Sequence, residues 1–277
     1  MTKLDKKTYW SNCIVALTLG ASLYAMGTFF GGASHFTFGS QGLNFHHWFS
    51  GFTVEEYETE RVTITDEVVS IQLDSQLGEV RFRTGDTLSL TYQGDVSHKI
   101  TGNRLEIDGK VNLYKYWWQK LEDEKIGFIE ITIPDTVTSL DIESSGIISL
   151  TDLDLADIEI ETNLGNVQME DTSVKKGKMT ADMGNISLTS CTFDNLVAEL
   201  DMGNLTTENL TIDVSGKFVN NMGNMEIGLA EVESNYNFHH KTNFGAFSIN
   251  GRKTSASVGS VIITTETDMG AISITTK

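Results

Sequence analysis

Proline is almost missing from this chain: Pro134 is the single one in 277 residues. So little proline excludes a Pro-rich linker and suits long uninterrupted sheet, in which proline cannot donate to the ladder. Cysteine is nearly as scarce. Cys13 lies in an apolar N-terminal stretch and Cys191 in a repeat region, so the two do not meet and no disulfide framework exists. Positive charge is short as well, with 20 Lys and Arg against 38 Asp and Glu and a net charge of −18. So acidic a body repels phosphate backbones, which excludes nucleic-acid binding. It also repels anionic lipid head groups, so close membrane contact must come from elsewhere in the chain.

Residues 8–54 contain no Asp, Glu, Lys or Arg at all. Within them, residues 13–30, "CIVALTLGASLYAMGTFF", are mostly apolar and flanked by Tyr9 and Trp10. At about 1.5 Å per residue the stretch is just long enough to cross a hydrocarbon core. Lys3, Lys6 and Lys7 against Asp5 give the first seven residues a charge of +2 and leave −20 for residues 55–277. That asymmetry keeps the N-terminus cytoplasmic and the body outside. The expected organisation is a cytoplasmic tail (1–8), a single-pass transmembrane anchor (9–30) and an uncharged Gly/Phe/His spacer (31–54) whose aromatics rest at head-group level. A cleaved signal peptide ending at Ala25, or a buried helix, are the competing readings; Leu23 is large for the position two before a cut. His46 and His47 are adjacent in an apolar loop and are read as loop residues, not metal ligands.

Glycine is plentiful, at 25 residues, and it keeps time. Gly146, Gly165, Gly184, Gly203, Gly223, Gly245 and Gly270 follow one another at steps of 19, 19, 19, 20, 22 and 25. Such a period marks a solenoid. The residue before the glycine is apolar (Leu164, Met183, Met202, Met222, Phe244, Met269), and so are the residues two and four after it, with Thr207 the exception. The alternation predicts strands with one buried face, and in it the residue before the glycine counts as inward. One coil continues through Ile186, Leu188, Cys191, Phe193, Leu196, Ala198 and Leu200. Its shifts from period two to period three predict three short strands joined by tight bends. No convincing helical pattern occurs in 140–277. The expected fold is all-β, a single-stranded parallel β-helix of coils about 19–22 residues long over 140–277.

The glycines are expected at corners, where they supply a backbone angle that a Cβ forbids. Asn163, Asp182, Asp201, Asn221, Asn243 and Asp268 recur two before the glycine, and Asn166, Asn185, Asn204 and Asn224 one after it. Stacking aligns both sets into polar ladders. Two readings follow, a calcium-binding edge or Asx caps on the bends; capping is preferred, since only half of one ladder is charged and no Gly-Gly-x-Gly-x-Asp loop occurs. Cys191 takes an inward slot that holds Thr172 in a neighbouring coil, and so reads as core. His239-His240 is placed in an inserted loop that explains the 22-residue step.

Residues 55–139 read as an antiparallel N-terminal cap, with turn signals at Gly94-Asp95 and Gly102-Asn103 and with 75–84 already resembling a first coil around Gly78. An aromatic insertion, 111–127, breaks the pattern with Tyr114, Tyr116, Trp117 and Trp118, followed by charges from Lys120 to Lys125. It is either an exposed loop that touches lipid, glycan or a partner protein, or a plug for the open end of the solenoid.

The iterated "LGNVQM", "MGNISL", "MGNLTT", "MGNMEI", "FGAFSI" and "MGAISI", entered through "ITIPDTVTSLDIESSG", resemble the bacterial putative-adhesin β-strand-repeat family, a domain of unknown function whose members include YvlB-like envelope proteins. The resemblance spans roughly 55–277. It implies a β-solenoid at the cell envelope, typically of Gram-positive bacteria, with some members tied to envelope stress responses. It brings no catalytic residues and no cofactor.

The function expected is therefore a non-enzymatic, membrane-anchored extracytoplasmic protein, adhesin-like or related to envelope stress, that meets envelope proteins, glycans or lipids. No catalytic, cofactor-binding or metal residues are assigned. The alternatives are a carbohydrate-active β-helix enzyme acting on envelope polysaccharide, and a scaffold that polymerises by solenoid stacking.

Overall fold

The computed structural model describes residues 37–39, 42–44, 58–76, 78–110, 127–253 and 259–277. The chain divides into two units. In the first, strands Thr37–Gly39 and Gly42–Asn44 pair antiparallel. The anchor segment 9–30 and the aromatic insertion lie outside the described residues. Among the described residues no helix is long and apolar enough to cross a membrane.

The second unit is a stack of coils, each contributing one strand to each of two parallel faces. A typical coil pairs a long strand such as Ser173–Met183 with a short one such as Ile186–Thr189. The long strands lie in register with Thr192–Met202, and the short ones with 205–208. The long strand skips one pairing at its bend, Lys175 in this coil, so the third segment expected from the sequence is the short arm of a bent strand. Apart from strands, the described residues contain a 3-10 turn, Glu233–Asn235.

Inward side chains form continuous apolar rows. Ile148, Val167, Ile186, Leu205, Met225, Ile272 and Phe247 succeed one another through paired positions. All but Phe247, in the outermost coil, are buried. Each buried aliphatic of this kind contributes about 1.5–3 kcal/mol. Volume is balanced across rows: a Cβ on Gly177 would stand 2.6 Å from the Phe193 ring, and Ala198 sits beside Phe218. Thr207, the polar exception in the pattern, is buried with its hydroxyl against Gly228, whose N–H donates to Thr207 Oγ1 at 3.1 Å.

The stack begins before residue 140. Strands Ser70–Ser75, Glu79–Thr84, Arg104–Lys110 and Phe128–Ile133 run parallel to their neighbours as coils. Among the described residues of 55–139, Glu60–Thr63, Ser89–Gln93 and Asp95–Thr101 are the strands added antiparallel, which narrows the expected cap to these three. The turn signal at Gly102 is a turn, with φ +65°.

Spatial order departs from chain order at both ends. The coil of Ser70–Ser75 and Glu79–Thr84 lies between the coil built from Arg104–Lys110 and Phe128–Ile133 and the one that starts at Ser139. At the other end, Val261–Met269 pairs with 215–222 on one side and with Tyr236–Phe244 on the other. The last coil in sequence is thus intercalated, and the coil before it is outermost. The wide glycine steps have their reason here. They hold the crossings 230–235 and 250–260, while His239 and His240 lie within strand Tyr236–Phe244 and not in an inserted loop.

Because Tyr236–Phe244 is held through Val261–Met269, removing residues 259–277 should strip backbone hydrogen-exchange protection from 236–244 while 192–202 stays protected. Persisting protection of 236–244 in the truncated chain would show that it can pair directly with 215–222.

Candidate interaction edge

The corner glycines stack directly. In space their order is Gly146, Gly165, Gly184, Gly203, Gly223, Gly270 and Gly245. A Cβ on Gly203 would lie 1.6 Å from the carbonyl oxygen of Gly184, and one on Gly223 1.7 Å from that of Gly203. Gly203 also has φ +147°, a backbone angle that side chains disfavour. Both the angle and the carbonyl of the neighbouring coil demand glycine at Gly184, Gly203, Gly223 and Gly270, whereas Gly146, Gly165 and Gly245 lack the expected positive φ, and at Gly165 and Gly245 the close approach alone requires it.

The next residue supplies a polar rail. The Asn185 N–H donates to Asn166 Oδ1, the Asn204 N–H to Asn185 Oδ1, the Asn224 N–H to Asn204 Oδ1 and the Ala271 N–H to Asn224 Oδ1, all at 3.0–3.1 Å. Each side-chain carbonyl thereby satisfies a backbone donor at the turn of the next coil. On the other rail Asn221 Nδ2 donates to Asp201 Oδ1 at 2.7 Å, and Asn243 Nδ2 to Asp268 Oδ1 at 2.6 Å. These oxygens knit coil to coil, as capping requires. Among the described residues no group of three or more His, Cys, Asp or Glu is placed to hold a metal.

Between the rails stands an exposed apolar ridge. Leu164, Met183, Met202, Met222, Met269 and Phe244 are in register across successive coils and 56, 44, 40, 41, 51 and 78% exposed. This corrects the sequence reading that made the residue before the glycine inward. The spacing held the signal: Leu200 and Leu205 are both buried and five apart, an odd interval. Strict alternation cannot join them, so a break must fall between them, and the structure puts Met202 on the outward side of it.

The opposite corner uses a different device. Asp152, Asp171, Ser190 and Asn209 adopt φ between 49° and 57°, and the residue after each points inward as Leu153, Thr172, Cys191 or Leu210. Cys191 is therefore core, as its pattern implied. Burial pushes its thiol up to about 11.

The outer surface of the long strands is charged. Lys178 pairs with Glu159 at 2.6 Å and Lys217 with Glu199 at 2.8 Å, and each carboxylate holds its lysine above the ordinary ammonium range. Toward the N-terminal end Asp108, Asp74, Glu143 and Glu161 stand in one row. Tyr114, Tyr116, Trp117 and Trp118 lie outside the described residues.

The Toastrack DUF4097 model matches residues 68–276. The chain belongs to the Toastrack DUF4097 family. Among solved structures, one named a putative adhesin, from Bacteroides fragilis, is similar to this Toastrack chain with a TM-score of 0.53 and 15% identity, covering 80% of this chain and 98% of that one. One from Parabacteroides distasonis, named a putative lipid binding protein, gives a TM-score of 0.48 at 15% identity over 79% and 96%. A putative adhesin from Parabacteroides merdae gives 0.41 at 11% identity over 80% and 97%. No curated protein matches the chain. The first of these likenesses concerns the Toastrack fold, whose relatives bear adhesin-like names.

Gly203→Val should cost about 3 kcal/mol or more in denaturant unfolding, because the methyls must displace the Gly184 backbone. Gly102→Ala, with φ +65° and nothing within 4 Å of the new Cβ, should cost about 1 kcal/mol. Equal stability of the Gly203 variant and the parent would refute the stacking account.

Cys191 gives a pH test. Its folded pKa of about 11 lies above the unfolded value of about 8.5, so the neutral thiol is favoured by folding. Its contribution is complete below about pH 8.5 and declines as pH rises through about 11. The parent should lose more stability between pH 9 and 11 than Cys191→Thr, a side chain the same slot accepts as Thr172; parallel curves would count against it.

Proposed function

We propose that this Toastrack protein is a non-enzymatic interaction module, membrane-anchored through residues 9–30 and displayed outside the cell, where it binds an envelope component along its exposed ridge. The observation that supports this most is the ridge itself. Six apolar side chains in one line, bordered by two Asx rails, cost solubility and serve no core. The rails fix the ridge geometrically, since each coil is hydrogen-bonded to the next at that corner.

A carbohydrate-active enzyme would need an acid and a base converging on a cleft. The carboxylates Asp74, Glu106 and Asp108 do line a cavity of about 510 Å³, but Lys99 is engaged by Glu106 and Lys110 by Asp108, and Cys191 is sealed in the core. A stacking polymer would need two matching parallel ends. One end carries antiparallel strands, Glu60–Thr63 and Asp95–Thr101, so parallel stacking stops there. An envelope-stress role accords with surface display and is part of the proposal.

Protease added to intact cells that make the protein should digest residues 58–277 while a cytosolic marker survives. Met202→Asp with Met222→Asp should leave the melting temperature near that of the parent and reduce retention on isolated envelopes at least tenfold. An intact body after protease, or unchanged retention of the folded double variant, would overturn the reading.

A further inference from the structure

The ridge accepts leucine and phenylalanine at its ends, so apolarity alone does not call for methionine. Yet its middle is methionine throughout: Met183, Met202, Met222 and Met269 occupy four successive coils. In chain order Phe244 would separate Met222 from Met269. Intercalation of the last coil removes that interruption, pairing Met222 with Met269 and sending Phe244 to the end of the row. The other described methionines, Met169, Met179 and Met225, are buried as core filling. The four on the ridge are exposed.

We infer that this methionine ladder is a binding site for a soft monovalent cation, Cu(I) or its analogue Ag(I). Thioether sulfur is a soft, neutral donor that selects Cu(I) over hard cations. Neighbouring coils in a sheet are about 4.8 Å apart. A metal–sulfur bond of about 2.3 Å makes a linear S–metal–S unit about 4.6 Å long, close to one coil spacing. Two methionines on adjacent coils therefore bracket one ion without displacing the backbone, and the unbranched side chain has the freedom to close the remaining gap. Four consecutive methionines accommodate two ions, one between Met183 and Met202 and one between Met222 and Met269. The surroundings suit a cation: Asp182, Asp201 and Asp268 directly precede three of the four, and no Lys or Arg stands in the ridge or its rails. Thioethers carry no proton to lose, so the site works unchanged in acid, unlike thiolate or imidazole sites.

The test uses the full chain, titrated anaerobically with Cu(I) against a chromogenic Cu(I) chelator at pH 5 and pH 8. The parent should take up to two more ions than the chain with Met183, Met202, Met222 and Met269 all replaced by Leu, and the difference should be the same at both pH values. X-ray absorption of the parent should show sulfur neighbours that the variant lacks. Should the fourfold variant fold poorly, Met202→Leu with Met222→Leu leaves no two adjacent methionines and should lose the same uptake. Equal uptake by parent and variant, or a difference that disappears at pH 5, would overturn the inference. The site does not depend on the ridge docking an envelope partner: Leu keeps the ridge apolar, so these variants should retain envelope binding, and the two readings fail separately.

Discussion

Everything in this protein depends on one backbone superposition, the seating of each corner glycine on the carbonyl of the coil beneath. With room for no Cβ at Gly184, Gly203, Gly223 or Gly270, the coils close to hydrogen-bonding distance at that corner. The two faces meet there, so a displacement would disturb the register of both at once. Once the corner is seated, every other position inherits a fixed neighbour. Equivalent residues then stack into rows, and the character of each row follows from what the sequence repeats: aliphatic inside, asparagine at the rail, methionine on the ridge.

The two ends show how an otherwise periodic stack is finished. A sheet edge exposes unpaired backbone groups and invites association. Here neither outermost coil is the last one in the chain. The edge at the C-terminal side is Tyr236–Phe244, which bears His239, His240 and Lys241, while the terminal coil is held between two neighbours. The Lys277 N–H donates to the Glu231 carbonyl. Strand 95–101 closes the other side through an antiparallel hairpin.

Much of this was legible in the residues. The glycine period, the apolar beat at Ile186, Leu188, Phe193 and Leu196, and the inward placement of Cys191 all came from local patterning, which a repeat amplifies. A break in the alternation was legible in the odd interval from Leu200 to Leu205; that Met202 turns outward there was not. The intercalation was not. Both Phe244 and Met269 fit the same slot, and nothing local distinguishes the coil that packs first from the one that packs second. The extra residues in the 22- and 25-residue steps read equally well as insertions. Parallel pairing of Ser70–Ser75 and Arg104–Lys110 was hidden for a similar reason: an isolated alternating strand does not declare its direction.

Intercalation also sets a timetable. A chain that emerges from its N-terminus would extend an ordinary solenoid one coil at a time, each new coil nucleating on the one just completed. Here the segment that belongs beside 215–222 follows the coil that packs outside it, so that coil lacks its native neighbour when it emerges. Such non-local closure is slow. It also means that the outermost coil gains its seat only once residues 259–277 are in place.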